Sequence, residues 1–180
     1  VPCLYVTNRA ETNPPRPGVV MFYLHGGGYV AGSPRTHKHL LARLARLTQI
    51  EVCAPNYRKA PEHPFPTAFD DTVAAFEGLV AQGYSAESII IGGDSAGGGL
   101  ALALLAHLNA RGVVPKAVFA FSPFTDATFS GASIARNATV DPMLPPERHD
   151  LITDWYLAGQ SPIDPRVSPL FAPWVAPLPP

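Results

Sequence analysis

Cysteine, charge and unbroken apolar length are all scarce in this sequence. Only two cysteines occur in 180 residues, Cys3 and Cys53. Each lies in a strand-like segment, so both read as small core residues rather than a disulfide. With no leader segment in view, two such thiols fit a reducing, cytoplasmic compartment. Charged residues make up only 15% and the net charge is -1, which removes the electrostatic reason to expect nucleic acid or an anionic membrane as a partner. No apolar run approaches the length of a membrane-spanning helix, and no basic-then-apolar signal opens the chain. A hydrophobic share of 47% excludes a disordered chain or a charged tail. Nothing repeats internally.

Proline is in excess, at 21 residues, many of them in the last forty. The chain is long enough for one domain with a sizeable core. Both ends read as cuts: Val1-Pro2 leads straight into "CLYV", and "APWVAPLPP" stops without a closing element.

Between the ends, strand and helix patterns alternate. Residues 3–8 read as a short strand and 12–18 as a turn. The unbroken apolar run in "VVMFYLHGGG" (19–28) is that of a strand buried on both faces. Residues 36–49 place Leu40, Leu41, Leu44 and Leu47 on one helical face. A strand (51–58), a proline loop (59–66) and a helix (67–83) carrying Phe69, Val73, Phe76 and Val80 follow. Then come a central strand (88–93), a helix (96–112) and a strand (116–124). Alternation of this kind predicts a mostly parallel sheet with helices on its faces. Residues 125–165 break the rhythm, polar at first and helical over 145–159, and read as an insertion over one end of the sheet. Met143, Leu144, Trp155, Tyr156 and Leu157, with Tyr29 beside the glycines, are candidates to line an acyl channel there; ordinary helix packing explains the same aromatics.

Two motifs carry chemistry. Gly93-Asp94-Ser95-Ala96-Gly97 follows a strand and opens a helix, the context a nucleophile elbow requires. So tight a turn forces a strained backbone on Ser95, and Gly93 and Gly97 relieve crowding on either side. The turn lifts the hydroxyl above the sheet and aims the helix N-terminus at it, so the Ala96 N–H becomes a donor for an oxyanion. Asp94, whose side chain diverges from the serine, reads as structural. The second motif is His25-Gly26-Gly27-Gly28, seventy residues earlier (95 − 25). Three bare glycines let a substrate carbonyl approach, and the Gly26 and Gly27 amides complete the oxyanion hole with Ala96. A phosphate cradle is the rival for such a loop, but neither a following Lys-Ser/Thr nor a G-x-G-x-x-G at a helix start is present.

The stretches "FYLHGGGYVAGS", "NYRKAPEHPFP", "IIIGGDSAGGGLA" and "FSPFTD" together resemble the hormone-sensitive lipase-like α/β-hydrolases, in their bacterial GDSAG esterase branch. The resemblance runs from about residue 19 to the end. It implies a three-layer α/β-hydrolase sandwich, truncated at both ends, with a partial helical lid over 125–165. It implies a carboxylester hydrolase acting on short- to medium-chain acyl esters, with no cofactor and no metal. Ser95 would be the nucleophile, and His25 would brace the glycine loop, with Gly28 as part of it.

What the chain lacks here is the rest of a triad. In that family the acid follows the next strand, in a D-x-L-x-D-type segment, and the histidine sits in an H-G-F-type loop. "LPP", which precedes that strand in family members, is residues 178–180 here. Of the six histidines, His25 belongs to the glycine loop, His37 and His39 flank a helix start, and His63 lies in the proline loop. His107 is roughly 18 Å along the helix from Ser95, and His149 is the least unsuitable base. Asp126, Asp150, Asp154 and Asp164 read as caps or surface residues. The 180 residues alone are therefore expected to be nearly inert, and the unpaired edge of the 116–124 strand is expected to aggregate. Two rivals remain: a non-catalytic small-molecule-binding member of the same fold, and a serine peptidase, which the HGGG loop disfavours.

Overall fold

In the computed structural model, the described residues are 1–7, 18–144, 149 and 153–180. The turn read over 12–18 (apart from Gly18), the start of the 145–159 helix and Asp150 lie outside them. Five strands form one sheet: β1 (Cys3–Val6), β2 (Val20–Leu24), β3 (Glu51–Pro55), β4 (Ile89–Asp94) and β5 (Ala117–Phe121). The spatial order is β1-β3-β2-β4-β5. β1 runs antiparallel to β3, and the other pairings are parallel. The chain therefore has the mostly parallel sheet that the alternating pattern predicts, and the α/β-hydrolase arrangement that the resemblance implies.

All five residues of β2 are buried, which accounts for its continuous apolar run. Alternate β2 side chains serve opposite faces. Val20, Phe22 and Leu24 join Ile89 and Ile91 against α2 (Thr67–Ala81) and α3 (Ser95–Asn109). Met21 and Tyr23 join Val52 and Ala54 against α1 (Lys38–Thr48). Helix, sheet and helix make three layers, and each fully buried Leu, Ile or Phe contributes about 1.5–3 kcal/mol.

Several boundaries differ from the sequence reading, for local reasons. In α1 the buried stripe is Leu41 and Ala45, whereas Leu47 is 65% exposed: a 3.6-residue period rotates it off the sheet. Val80 likewise turns outward near the end of α2, at 45% exposed. α3 stops at Asn109, before Gly112, where φ is +70° and the Val113 amide returns to the Leu108 carbonyl at 3.0 Å. Within 125–165 the described parts include a short helix, α4 (Ala132–Asn137), which its polar sequence hid, and a π-helical turn over Thr153–Leu157.

Both cysteines are free thiols, with Cys53 buried and Cys3 half-buried. β5 is the outer strand on its side, with Phe121 48% exposed, but its edge is not bare. The Val118 amide donates to the Pro180 carbonyl at 3.0 Å, and Asn109 exchanges hydrogen bonds with the Val175 backbone at 2.6 and 2.8 Å. The proline-rich end is thereby tied along the β5 side. Among the described residues no helix is long and apolar enough to cross a membrane.

Candidate active site

The junction of β4 and α3 carries the first motif. Ser95 has φ +52°, a left-handed conformation that a residue with a Cβ adopts only under constraint. The constraint is visible in the glycines around it. A Cβ on Gly97 would run into the Leu24 and His25 carbonyl oxygens, and one on Gly93 would lie 2.7 Å from the Leu24 oxygen and closer still to the Gly97 carbonyl. The end of β2 thus wedges beneath the elbow, and only glycine admits it. Ser95 is half-exposed, and no hydrogen bond among the described residues involves its hydroxyl.

The glycine loop continues from β2. Gly27, Gly28 and Tyr29 have φ of +128°, +61° and +63°, three successive left-handed residues. The loop closes on itself through the Gly27 carbonyl, which accepts from Val30 and Ala31 at 3.1 and 2.9 Å. His25 is fully buried, stacked on Tyr57 at 4.2 Å, with Nδ1 2.8 Å from the Gly26 carbonyl. The Tyr57 hydroxyl donates to the His25 carbonyl at 2.6 Å. Burial pulls the His25 ring down to a pKa of about 4, so it is neutral at neutral pH, with Nδ1–H donating to Gly26. His25 thus ties the glycine loop to Tyr57 through its ring and its carbonyl, while its buried Nε2 has no hydrogen-bond partner among the described residues.

One expected donor is occupied. The Gly26 amide donates to Asp94 Oδ1 at 3.0 Å, and a carboxylate bond of that kind leaves nothing for an oxyanion. The half-exposed Gly27 and Gly28 amides, and that of Ala96 in the first turn of α3, take part in no hydrogen bond among the described residues. Of the three glycine amides, the one that the sequence reading paired with Gly27, that of Gly26, is therefore engaged, and that of Gly28 is not.

Asp94 also accepts from the Tyr23 hydroxyl at 2.9 Å and lies 3.4 Å from His37 Nε2. Burial, and then Asp94, raise the Tyr23 phenol far above its ordinary value, so it stays protonated and donates. Tyr23 and Tyr57 were not singled out in the sequence. Tyr23 shares strand parity with His25 (25 − 23 = 2), and that was the available signal.

The remaining histidines stand apart from the serine. His39 and His63 are exposed, His107 meets the Phe69 ring at 5.7 Å, and His149 stacks on Phe129 at 4.1 Å. No hydrogen bond among the described residues joins a histidine to Ser95. Asp126 is satisfied by Thr128 and Ser130, and Asp164 by Arg166 at 2.8 Å, in local turns. Among the described residues no group of three or more His, Cys, Asp or Glu is placed to hold a metal ion.

The aromatic candidates divide. Tyr29 and Tyr156 are both 1% exposed and stack face to face at 3.8 Å, so they join the 125–165 segment to the glycine loop instead of facing an open channel. The Phe65 amide donates to the Tyr156 carbonyl at 2.7 Å and strengthens that junction. Met143 and Trp155 are 71% and 47% exposed. Leu144 alone of the candidates in this segment lines a cavity of about 480 Å³, together with Phe124, Phe129, Ile134, His149 and Leu170, among others.

The sequence profile of the α/β-hydrolase fold family matches residues 21–180. The crystal structure of an esterase from the bacterial hormone-sensitive lipase family superposes with a TM-score of 0.90 at 43% identity, covering 98% of this chain and 58% of that one. The chain belongs to the α/β-hydrolases, in their hormone-sensitive lipase-like branch. Among curated relatives, an acetyl-hydrolase of Streptomyces hygroscopicus is 39% identical over 153 residues, 84% of this chain and 51% of the relative. The hormone-sensitive lipase of Mus musculus is 32% identical over 136 residues, 73% of this chain and 18% of the relative. The chain thus spans about half the length of the bacterial relatives it matches.

Proposed function

We propose that these residues supply the nucleophile and oxyanion donors of a carboxylester hydrolase for short- to medium-chain acyl esters. The observation that carries this reading is the left-handed Ser95 on a glycine-flanked bend, beside a loop whose Gly27 and Gly28 amides are unspent. The names of the relatives, an acetyl-hydrolase and bacterial esterases, support an ester as the substrate.

The chemistry follows from the parts. Ser95 Oγ attacks the ester carbonyl carbon while a base takes its proton. The carbonyl oxygen becomes an oxyanion and accepts from the Gly27, Gly28 and Ala96 amides, each such donor being worth about 10²–10³ in rate. Because both sets of amides are fixed before substrate arrives, little reorganisation accompanies the charge. The alcohol leaves with the base's proton, and water then hydrolyses the acyl-serine. On this reading the base and its acid are not supplied by the described residues: no hydrogen bond among them joins a histidine to Ser95, and the chain spans about half the length of its bacterial relatives. Tyr29 and Tyr156 hold the loop and do not touch substrate.

The test is turnover of p-nitrophenyl acetate and butyrate by the full natural chain. Ester hydrolysis abolished by Ser95→Ala supports the reading. A ligand-dependent thermal shift without hydrolysis identifies a binding protein instead, and faster cleavage of amides than of esters identifies a peptidase.

A further inference from the structure

Asp94 occupies the N-cap position of α3, where an aspartate side chain ordinarily accepts an amide of the first helical turn. Here it makes no such bond. Its carboxylate turns away from its own helix and toward the end of β2. Oδ1 accepts the Tyr23 hydroxyl at 2.9 Å and the Gly26 amide at 3.0 Å, and Oδ2 faces His37 Nε2 at 3.4 Å. The fit is close enough that a Cβ on Gly26 would collide with the carboxylate.

The sheet register explains why a side chain is needed at this point. Ladder pairing of β2 with β4 ends at Leu24 and Gly93. On its other side Asp94 still pairs with Phe121 of β5. Beyond Leu24, then, no ladder bond fixes the glycine loop relative to the elbow, and the Asp94 carboxylate takes the position the next rung would have held. A carboxylate only accepts, so it selects an amide, and it takes that of Gly26. With Gly26 held and its carbonyl accepting His25 Nδ1–H at 2.8 Å, the next two peptides are turned by their left-handed φ values, and their amides stay free.

We propose that Asp94 is a positioning residue for the oxyanion donors: by holding the Gly26 amide and the Tyr23 hydroxyl, it aligns the Gly27 and Gly28 amides with Ser95. This rests on the esterase reading of the site. It assigns the aspartate of the GDSAG stretch a role in the rate rather than in helix capping, and the acceptor oxygen rather than the charge performs it.

Two measurements judge it. In the 15N-labelled full natural chain, the Gly26 amide is expected to be protected from solvent exchange, whereas the Gly27 and Gly28 amides exchange freely. Asp94→Ala is expected to remove that protection, and Asp94→Asn, whose Oδ1 still accepts, to keep it. This readout does not depend on turnover, so it judges the Asp94–Gly26 link even if the esterase reading fails. In the full natural chain, Asp94→Ala is expected to lower kcat about tenfold or more with KM changed by less than about twofold, and Asn to restore kcat toward wild type. Ser95→Ala, run alongside, tests the esterase reading separately. If Asp94→Ala does not fold, Asp94→Asn against Asp94→Leu gives the same comparison. An unprotected Gly26 amide in the wild type, an unchanged kcat in the Ala or Leu variant, an effect on KM alone, or equal losses in the Asn and Ala variants would overturn the proposal.

Discussion

Replacing Ser95 by glycine should stabilise the fold relative to replacing it by alanine. Both changes delete the hydroxyl, which takes part in no hydrogen bond among the described residues, so that loss is common to the two. They differ in what they do to the backbone at φ +52°. A residue with a Cβ in the left-handed region carries roughly 1–2 kcal/mol of strain, which alanine keeps and glycine releases. Glycine also frees the unfolded chain, which offsets about 0.4–1 kcal/mol of the gain. The difference leaves Ser95→Gly more stable than Ser95→Ala by about 0.5–1 kcal/mol, or about 1–4 °C in Tm for a domain of this size. The ordinary helix-interior penalty for glycine does not apply, because position 95 is the first residue of α3 and not helical in φ. Urea denaturation followed by far-UV circular dichroism, with the wild type and both variants under one set of conditions, measures it. Alanine equal to or more stable than glycine would mean that position 95 is not held in the left-handed region, and the elbow would lose its physical basis.

Three other outcomes are expected. Gly97→Ala should cost about 1–3 kcal/mol or more, because the new Cβ meets the Leu24 and His25 carbonyls and pushes the glycine loop; unchanged stability by the same denaturation assay contradicts the packing. His25, neutral and buried with a pKa of about 4 against 6.5 in the unfolded chain, binds fewer protons folded than unfolded. Its contribution is therefore complete above pH 6.5 and is lost as the pH falls toward 4, by about 1.4 kcal/mol per unit and up to about 3 kcal/mol. The His25 ring proton resonance followed against pH checks this, and a midpoint near 6.5 is the contrary result. Phe121→Lys, at a β5 side chain that is 48% exposed, should reduce light scattering on concentration; scattering equal to wild type would show that the β5 edge is already protected by the tail at Pro180.

The parts of the site legible in the sequence are those set by short-range sterics. Gly93 and Gly97 flank a serine at a strand end, and a run of three glycines follows His25, because backbone meets backbone there. Even so, the atoms those glycines make room for are the Leu24 and His25 carbonyls of another strand, which no local pattern names. The pairing of Gly26 with Asp94 was not legible for the same reason. It depends on where the β2–β4 ladder stops, sixty-eight residues apart in sequence (94 − 26), and it moves the free amides one residue along the loop. Helix ends failed differently. Leu47 and Val80 are apolar and in phase near their neighbours, but each lies where the helix has rotated past the sheet. In the glycine loop and the 125–165 segment respectively, Tyr29 and Tyr156 read equally well as channel or core. Their stacking at 3.8 Å, which places them in the core, is a contact between distant segments that periodicity does not report.

The most direct test of the central claim is the crystal structure of the full natural chain after reaction with a p-nitrophenyl alkylphosphonate, whose phosphoryl oxygen stands where an oxyanion would form. The account predicts phosphorus bonded to Ser95 Oγ and that oxygen within about 3 Å of the Gly27, Gly28 and Ala96 nitrogens, with the Gly26 amide still on Asp94. Phosphorus on another residue, or its oxygen turned to solvent or bonded to Gly26, would contradict it.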